Sequence, residues 1–272
     1  MQVTVTTDWL DAHIKDVKIL DASWYLPTQD RNPFQEFQNA HIDGAQFFDI
    51  DLIADTDSDL PHMVPTSHVF ADHVQRMGIS NADTIVVYDT HGIFSGPRVW
   101  WLFQVMGHEK IFVLDGGLPK WIREGRVVSQ NPKTPVVGQF NAILNRDATV
   151  DSEMILNTSA QVIDARPPAR FAGEAAEPRP NTRSGHIPNS TNIFFKSVLD
   201  EGGILKSIPA LRKTFTDASV DLTAPIITSC GSGVTAAILM MALKQLDHPN
   251  VALYDGSWSE WGARDDLPIS TS

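Results

Sequence analysis

The sequence predicts an α/β protein made of two similar halves, each a central parallel sheet flanked by helices. First, short apolar runs rich in β-forming residues alternate with longer helical stretches along the 272 residues. Second, four blocks of sequence recur in the same order in both halves. Third, 42% of the residues are hydrophobic and 20% are charged, which is typical of a globular protein with a hydrophobic core.

Six short runs are the predicted strands, three in each half: KILDA, TIVVYD, KIFVLD, QVIDA, APIIT and NVALYD. Between them lie helical stretches, of which 68–78 and 234–246 are the clearest. Buried strands that alternate with helices are typical of a parallel sheet covered on both faces. Ligands of such sheets bind beyond the carboxyl ends of the strands, so we expect the functional site there.

The repeated blocks lie 140 to 145 residues apart in the sequence. KILDAS resembles QVIDAR, AHIDGAQFFDID resembles GHIPNSTNIFFK, TIVVYDTHG resembles APIITSCGSG, and VLDGGLPKW resembles LYDGSWSEW. The offset is 141 residues between Asp89 and Cys230 and 140 residues between Trp121 and Trp261. Self-similarity in a fixed order indicates repeated structural units, so we interpret the halves as homologous domains that arose by duplication.

The domain boundaries are predicted from the same pattern. We predict a first domain over residues 1–126, a linker over 127–147 and a second domain over 148–272. The linker is rich in Pro, Gln and Asn, which is typical of an extended connection. The length of the chain fits two domains of ordinary size.

Charge and hydropathy exclude several classes of partner. The formal net charge of −12 repels phosphate backbones, so no nucleic-acid partner is expected. The longest clean apolar run, 236–243, is too short to span a bilayer, so no membrane partner is expected. The N-terminal residues lack the pattern of a secretory signal or a mitochondrial transit peptide. We therefore expect a cytoplasmic protein.

Cys230 is the one cysteine of the sequence. A single cysteine forms neither an intrachain disulfide nor a zinc site with several cysteine ligands, so no metal is expected. Two interpretations remain for Cys230. It is an inert buried thiol, as free cysteine commonly is, or it is a chemically active group.

The surroundings of Cys230 favour the active interpretation. The residue follows the predicted strand APIITS and precedes a helix, and Gly231 and Gly233 are both expected to allow a tight loop with positive φ. Backbone N–H groups of such a loop form an anion-binding nest, and the helix N-terminus adds partial positive charge. Both stabilise a thiolate. Asp89 takes the equivalent position in the first half, so only the second half is expected to be catalytic.

The motif CGSGVT after a buried strand, the repeated blocks and the tryptophan after each DG pair resemble the tandem-domain rhodanese family of sulfurtransferases. The resemblance covers essentially the whole chain and implies two rhodanese-like domains, the second with a catalytic Cys230. Within this family, CGSGVT is similar to the loop of members that use 3-mercaptopyruvate. Members that use thiosulfate typically carry basic residues there, as in CRKGVT.

The resemblance also implies a set of substrate-binding residues. The family's substrate-clamping arginines occur in RF and PEPR contexts, which are similar to those of Arg170 and Arg179, although the second reads AEPR here. An arginine suits the task because its planar fork binds a carboxylate with two hydrogen bonds. The alternative is that both are surface or structural arginines. Arg183 is a lesser candidate, and Arg166 is equally well explained as an ion-pair partner of Asp164.

The loop of the motif is implied to hold the substrate too, through Gly231, Gly233, Val234 and Thr235. By the same resemblance, His62 and Asp51 from the first domain form a proton relay with Ser232. A neutral imidazole accepts a proton and a carboxylate orients it. The alternative is an ordinary loop histidine and a serine that the turn merely tolerates.

Residues that occupy equivalent positions in both halves are interpreted as structural, because only one half is expected to be catalytic. They are the histidines of the AHI and GHI blocks, the aspartates of the DA blocks and the tryptophans after the DG pairs: His41, His186, Asp21, Asp164, Trp121 and Trp261.

The resulting hypothesis is a ping-pong transfer of sulfur through a persulfide on Cys230. The substrate is 3-mercaptopyruvate, pyruvate leaves, and the sulfur passes to a thiol such as thioredoxin or a small thiol, or to cyanide. No metal or organic cofactor is expected, because the sulfur is carried on the enzyme.

Two other functions stay open from the sequence. One is a thiosulfate sulfurtransferase, and the other is a non-enzymatic binding protein whose lone thiol is a redox sensor or inert. A phosphatase is excluded because its loop needs an arginine six positions after the cysteine, and residue 236 is alanine.

Overall fold

Two five-stranded parallel sheets form the framework of the chain. The structure is a computed structural model that describes residues 2–130 and 132–271. In the described residues the first half contains five helices and seven strands: β1 (Thr4–Val5), α1 (Thr7–His13), β2 (Lys18–Asp21), α2 (Pro33–Asn39), β3 (His41–Ile42), β4 (Gln46–Phe47), α3 (Ser67–Arg76), β5 (Ile85–Tyr88), α4 (Gly96–Val105), β6 (Ile111–Leu114), α5 (Gly117–Arg123) and β7 (Val128–Ser129).

The second half repeats this alternation of strands and helices. Within the described residues it contains β8 (Thr149–Val150), α6 (Ser152–Asn157), β9 (Gln161–Asp164), α7 (Pro168–Ala172), β10 (Thr191–Asn192), α8 (Ile208–Asp217), β11 (Ile226–Ser229), α9 (Ala236–Gln245), β12 (Val251–Tyr254) and α10 (Ser257–Trp261). Short 3-10 turns lie at Pro27–Gln29, Arg146–Ala148 and Phe195–Val198.

The two sheets have the same strand order. It is β1-β6-β5-β2-β4 in the first sheet and β8-β12-β11-β9-β10 in the second, and every pair within them is parallel. The central strands β5 and β11 are buried along their whole length, as expected for strands covered by helices on both faces. The predicted fold class is confirmed, and all six predicted strands are present.

The two clearest helices differ slightly from their predicted bounds. Helix α3 covers most of 68–78. Helix α9 begins at Ala236 rather than at residue 234, because Val234 and Thr235 belong to the turn that leads out of the cysteine loop.

Helices α4 and α9 are equivalent in the two halves, and they pack against each other between the sheets. Nearly all of their residues are buried, which is the property of a helix surrounded by protein on all sides. Each helix follows the loop at the carboxyl end of a central strand. Their contact therefore brings the Asp89 loop and the Cys230 loop to the same region between the domains.

The segment predicted as a linker lies along the first domain. β7 pairs with β3 in a small antiparallel sheet, and the Gly138 N–H donates to the carbonyl of Gln75 over 2.8 Å. Phe140 is buried against Phe70 and Phe103. The domain boundaries themselves stay a prediction. Within residues 2–130 and 132–271, no helix is both long enough and apolar enough to cross a membrane.

Candidate active site

Cys230 lies directly after β11, at the carboxyl end of the second sheet. Its residue surface is 1% exposed, and it lines a cavity of about 670 Å³ between the domains. The cavity walls come from first-domain residues around Trp24, His91 and Gly116 and from three second-domain segments, 166–179, 194–203 and 230–235. The thiol is therefore buried in protein and faces a space that a small molecule can enter.

The segment after β12 fixes the backbone of the cysteine loop. Ser257 Oγ accepts the N–H of Cys230 over 3.2 Å. The N–H of Trp258 donates to the carbonyl of Cys230 over 3.0 Å, and the N–H of Ser259 donates to the carbonyl of Gly231 over 2.8 Å. These bonds hold the cysteine backbone in one position.

Ser257 has a φ of +49°, where the equivalent residue of the first half is Gly117, with a φ of +53°. Side-chain-bearing residues rarely adopt this region. The second half therefore accepts an unfavourable backbone conformation at a position where the serine hydroxyl binds the cysteine loop.

The backbone N–H groups of the cysteine loop are unused. In the part of the chain that the structure describes, none of the N–H groups of 231–235 donates a hydrogen bond. Gly233 has a φ of +75°, as expected for the turn, but Gly231 does not have a positive φ, so that expectation is wrong for Gly231. One left-handed residue is enough to reverse the chain here. The loop thus presents free donors next to Cys230.

In the first half, the N–H groups of the equivalent loop bind the side chain of Asp89. The Asp89 carboxylate accepts the N–H groups of His91 over 2.9 Å, of Phe94 over 2.8 Å and of Gly96 over 2.9 Å. Gly92 has a φ of +104° at the position equivalent to Gly233. The equivalent donors in the second half belong to Ser232, Thr235 and Ala237. Cys230 occupies the position of Asp89 in the second half, and among the described residues the N–H groups of Ser232 and Thr235 donate no hydrogen bond.

Arg170 and Arg179 both line the cavity. The Arg170 guanidinium is bound by Glu177, through Nη2 to Oε2 and through Nε to Oε1 over 3.2 Å. A Cβ placed on Gly231 would lie 3.2 Å from Nη2 of Arg170. A fixed positive charge therefore lies against the cysteine loop, although no residue of that loop is basic.

Arg179 has no hydrogen-bond or ion-pair partner among the described residues. Burial lowers the pKa of its guanidinium, while the side chain of Cys230 raises it. An arginine keeps its charge in spite of such a shift. Arg179 is thus a partly desolvated cation beside Cys230, and an anionic ligand would satisfy it.

Asp51 and His62 lie together in the first domain. His62 Nδ1 is 3.0 Å from Asp51 Oδ1, and the Trp24 indole donates to Asp51 Oδ2 over 3.0 Å. Burial lowers the pKa of His62, and the contact with Asp51 partly offsets this. Trp24, which lines the cavity, packs edge-on against the imidazole with ring centroids 5.0 Å apart.

The predicted link from His62 to Ser232 is absent from the hydrogen bonds of the described residues. His62 Nε2 is buried without a hydrogen-bond partner there, and Ser232 lines the cavity. The structure therefore brings Asp51 and His62 together, but among the described residues His62 forms no hydrogen bond with Ser232. The relay stays a prediction.

The remaining sequence candidates have structural partners. Arg166 pairs with Asp164 over 2.7 Å. Arg183, the lesser substrate-binding candidate, donates instead to backbone carbonyls, including that of Gly262 over 3.2 Å. His41 and His186 each place Nδ1 within hydrogen-bond distance of the carbonyl of a phenylalanine against which the ring stacks.

Sequence reasoning missed several residues at this site. Arg98 of α4 forms an ion pair with Asp255 over 2.7 Å, and its Nη2 also donates to the carbonyl of His62. Glu177 holds Arg166 and Arg170. The repeated DG blocks contained a signal for Asp255, because one follows β6 in the first half and the other follows β12 in the second. The AEPR context of Arg179 contained Glu177, but nothing in the sequence pattern marked Arg98.

Comparisons with known proteins agree with this site. The family model described as "Rhodanese-like domain" matches residues 6–124 and 149–264. The chain belongs to the rhodanese-like family, and the prediction of two such domains is confirmed.

Three relatives are informative. The chain is similar to 3-mercaptopyruvate sulfurtransferase from Escherichia coli K12, with 46% identity over 97% of this chain and 96% of that protein. It is 44% identical to "Thiosulfate/3-mercaptopyruvate sulfurtransferase 1, mitochondrial" from Arabidopsis thaliana, over 98% of this chain and 78% of that protein. Among solved structures, SseA from Escherichia coli, described as a 3-mercaptopyruvate sulfotransferase, superposes with a TM-score of 0.87 at 41% identity. The match covers 95% of this chain and 99% of that one.

Proposed function

We propose that the chain is a sulfurtransferase that moves sulfur from 3-mercaptopyruvate to a thiol or to cyanide through a persulfide on Cys230. One observation carries the proposal: among the described residues, the loop of Cys230 has unused N–H donors, and the Arg179 cation beside it has no partner. The names of two relatives, from Escherichia coli and Arabidopsis thaliana, support this donor.

The donor binds through its carboxylate. Arg179 offers the free guanidinium, and Arg170 adds a second positive charge that Glu177 holds in place. Charge-assisted hydrogen bonds between a guanidinium and a carboxylate are strong and directional. The carboxylate and the adjacent keto group are therefore held so that the thiol of the donor points towards Cys230.

The transfer step balances without a cofactor. The Cys230 thiolate attacks the donor sulfur, a new S–S bond forms, and the C–S bond of the donor breaks. The electron pair of that bond becomes the enolate of pyruvate, and the enzyme carries a Cys230 persulfide. The free N–H groups of 231–235 stabilise the negative charge on sulfur, as preorganised donors do in a site that excludes water.

The enolate must then gain a proton to leave as pyruvate, and that proton is the one that a neutral His62 takes from the Cys230 thiol, through Ser232, when the thiolate forms. Ser232 is the hydroxyl nearest to Cys230 in the loop sequence, and the Asp51–His62 pair lies behind Trp24. We assign these three residues to the proton transfer. In this proposal, a hydrogen bond between His62 and Ser232 forms when the donor is bound and completes the relay.

The second half-reaction regenerates the thiolate. An acceptor attacks the outer sulfur of the persulfide, and Cys230 leaves as a thiolate. Small thiols, thioredoxin and cyanide are the proposed acceptors, and a cytoplasmic location remains part of the same proposal.

Thiosulfate is a second candidate donor, because Arg170 lies against Gly231 and supplies a cation that the loop sequence lacks. A compact dianion would benefit from that charge. The name of the Arabidopsis thaliana relative contains both donors.

A burst experiment tests the donor. Reduced enzyme is mixed with 3-mercaptopyruvate in the absence of an acceptor, and released pyruvate is counted; a parallel sample receives thiosulfate, and released sulfite is counted. We expect a burst of one pyruvate per Cys230 that is much faster than the sulfite burst. A faster sulfite burst would show that thiosulfate rather than 3-mercaptopyruvate is the preferred donor. If neither donor gives a burst, the proposal is overturned.

A further inference from the structure

The cavity at Cys230 extends well beyond the donor site. Its volume of about 670 Å³ lies in the range of pockets that bind drug-sized ligands, whereas the donor is a small keto acid. Arg170, Arg179 and the cysteine loop form one side of this space. The other side is formed by the loop at His91 and by residues 194–203.

These two segments meet across the domain interface. The rings of Phe94 and Phe195 have centroids 5.7 Å apart. A Cβ placed on Gly203 would lie 3.7 Å from Cα of Gly92 and 3.8 Å from the carbonyl oxygen of His91. The far side of the cavity is therefore a continuous wall made of both domains.

Lys196 gives the wall a positive charge that is not paired with another group among the described residues. Lys196 lines the cavity, and its ammonium has no ion-pair or hydrogen-bond partner in the part of the chain that the structure describes. Burial lowers the pKa of His91, and the charge of Lys196 acts on it in the same direction. His91 and Lys196 both line the cavity.

A few residues further on, Glu201 gives the wall a negative charge that is not paired with another group among the described residues. The neighbouring Asp200 is committed, because its Oδ1 accepts the N–H groups of Gly202 and Ile204 over 2.8 and 2.9 Å and so holds the turn. Glu201 stands on that turn and lines the cavity. No hydrogen bond or ion pair of its carboxylate occurs within residues 2–130 and 132–271.

We propose that this wall is the acceptor subsite and that the acceptor class is a thiol with an α-amino-acid head group, its carboxylate paired with Lys196 and its ammonium with Glu201. The inference rests on the proposed function, because it assigns the second substrate of the same cavity. The donor does not fit the wall as well, since it has no ammonium group and finds two arginines on the opposite side.

The arrangement serves a ping-pong reaction. Pyruvate leaves before the acceptor binds, so the acceptor thiolate can approach Cys230 through the same space. Its sulfur forms a bond to the outer sulfur of the protonated persulfide. The bond from that sulfur to Cys230 breaks, and its electron pair returns to Cys230 as a thiolate. The product is a protonated persulfide of the acceptor, so atoms and charge balance.

Four small thiols test the carboxylate and the ammonium of the head group separately. Cysteine carries both, N-acetylcysteine only the carboxylate, cysteamine only the ammonium, and 2-mercaptoethanol neither. The KM of each acceptor is measured at saturating 3-mercaptopyruvate for the wild type, Lys196→Gln and Glu201→Gln. Lys133→Gln and Glu153→Gln are matched controls, because both residues are exposed and neither lines the cavity.

We expect Lys196→Gln to raise the KM for cysteine and N-acetylcysteine about two- to fivefold, because the loss of one exposed ion pair weakens binding by about that factor. Glu201→Gln should do the same for cysteine and cysteamine. 2-Mercaptoethanol should be unaffected by both changes. Equal effects on all four thiols, or no effect on any of them, would overturn the subsite.

Persulfide formation separates this inference from the proposed function. Each variant is first treated with 3-mercaptopyruvate alone, and its intact mass is measured. A gain of one sulfur atom in both variants shows that the donor half-reaction is intact, so that KM changes report on the acceptor. If the wild type gains no sulfur, the proposed function itself fails.

Discussion

Arg98 of the first domain and Asp255 of the second form a buried ion pair with 2.7 Å between Nη2 and Oδ1. Oδ2 of Asp255 accepts the N–H of Val64 over 2.8 Å, and Nη2 of Arg98 donates to the carbonyl of His62. A Cβ placed on Gly233 would lie 2.6 Å from Nη1 of Arg98. The pair therefore joins the His62 segment to the back of the cysteine loop.

Breaking this pair should destabilise the protein. The side chains of Arg98 and Asp255 are only 2% and 7% exposed, and removing one partner of a buried pair costs about 3–5 kcal/mol. We expect that loss in the free energy of unfolding of Arg98→Met and Asp255→Asn, measured by urea titration. Arg76→Gln breaks an exposed pair and should cost about 1 kcal/mol or less; similar losses in all three variants would contradict the prediction.

Arg179→Ala should raise the KM for 3-mercaptopyruvate far more than the KM for thiosulfate. The free guanidinium is assigned to the donor carboxylate, and the loss of such a charge pair costs about 2–5 kcal/mol. Arg170→Ala should act in the same direction and less strongly, because Glu177 already shares its charge. Steady-state kinetics with both donors measure the effect, with Arg123→Ala as an exposed control. Equal changes for both donors would exclude a carboxylate clamp.

The pH profile of kcat tests the pair of Asp51 and His62. The relay needs a neutral imidazole, so kcat should fall as the pH drops through the His62 pKa, which burial places below its ordinary value. The Asp51 carboxylate favours the protonated imidazole and raises that pKa. Asp51→Asn should therefore move the acidic limb to lower pH. Asp57→Asn, in the same loop, should leave the limb in place, and an unmoved limb in Asp51→Asn would remove the pair from the reaction.

Asp21 should make stability depend on pH. Burial raises the pKa of Asp21 to about 6 from its ordinary value of 3.8. Between these values the folded protein holds a proton that the unfolded chain has released, so stability falls as the pH rises from about 4 to 6. Asp21→Asn does not ionise and keeps an oxygen that can accept the Ser23 N–H, as Oδ1 does over 2.9 Å.

The free energy of unfolding of Asp21→Asn, compared with that of the wild type, should therefore rise by about 2–3 kcal/mol between pH 4 and pH 7. Urea titrations at several pH values measure this difference, and Asp217→Asn at an exposed site is the control. A difference that is constant with pH would mean that Asp21 does not titrate in this range.

The sequence was sufficient for the fold and for the position of Cys230. Six strands have local signals in their apolar runs, and the duplication places Asp89 and Cys230 at equivalent strand ends. The two arginines that line the cavity were predicted as substrate-binding residues because a family pattern surrounds them, and that role stays a prediction. In each case the information lies in a few adjacent residues or in the repeat.

The residues that were missed act across the chain. Arg98 lies in GPRVWWLF, which reads as an ordinary buried helix, and its partner Asp255 is far away in sequence and in the other domain. The positive φ of Ser257 depends on the cysteine loop that it binds. The wall at Lys196 and Glu201 exists only because the domains meet at Phe94 and Phe195. No local pattern encodes such contacts.

The most direct test of the central claim is the intact mass of the reduced protein after brief exposure to 3-mercaptopyruvate. We predict a gain of one sulfur atom that a thiol reverses, and no gain in Cys230→Ser. The same variant should transfer no sulfur from either donor. An unchanged mass of the wild-type protein, or an equal gain in Cys230→Ser, would contradict the persulfide on Cys230 and leave it as a buried structural thiol.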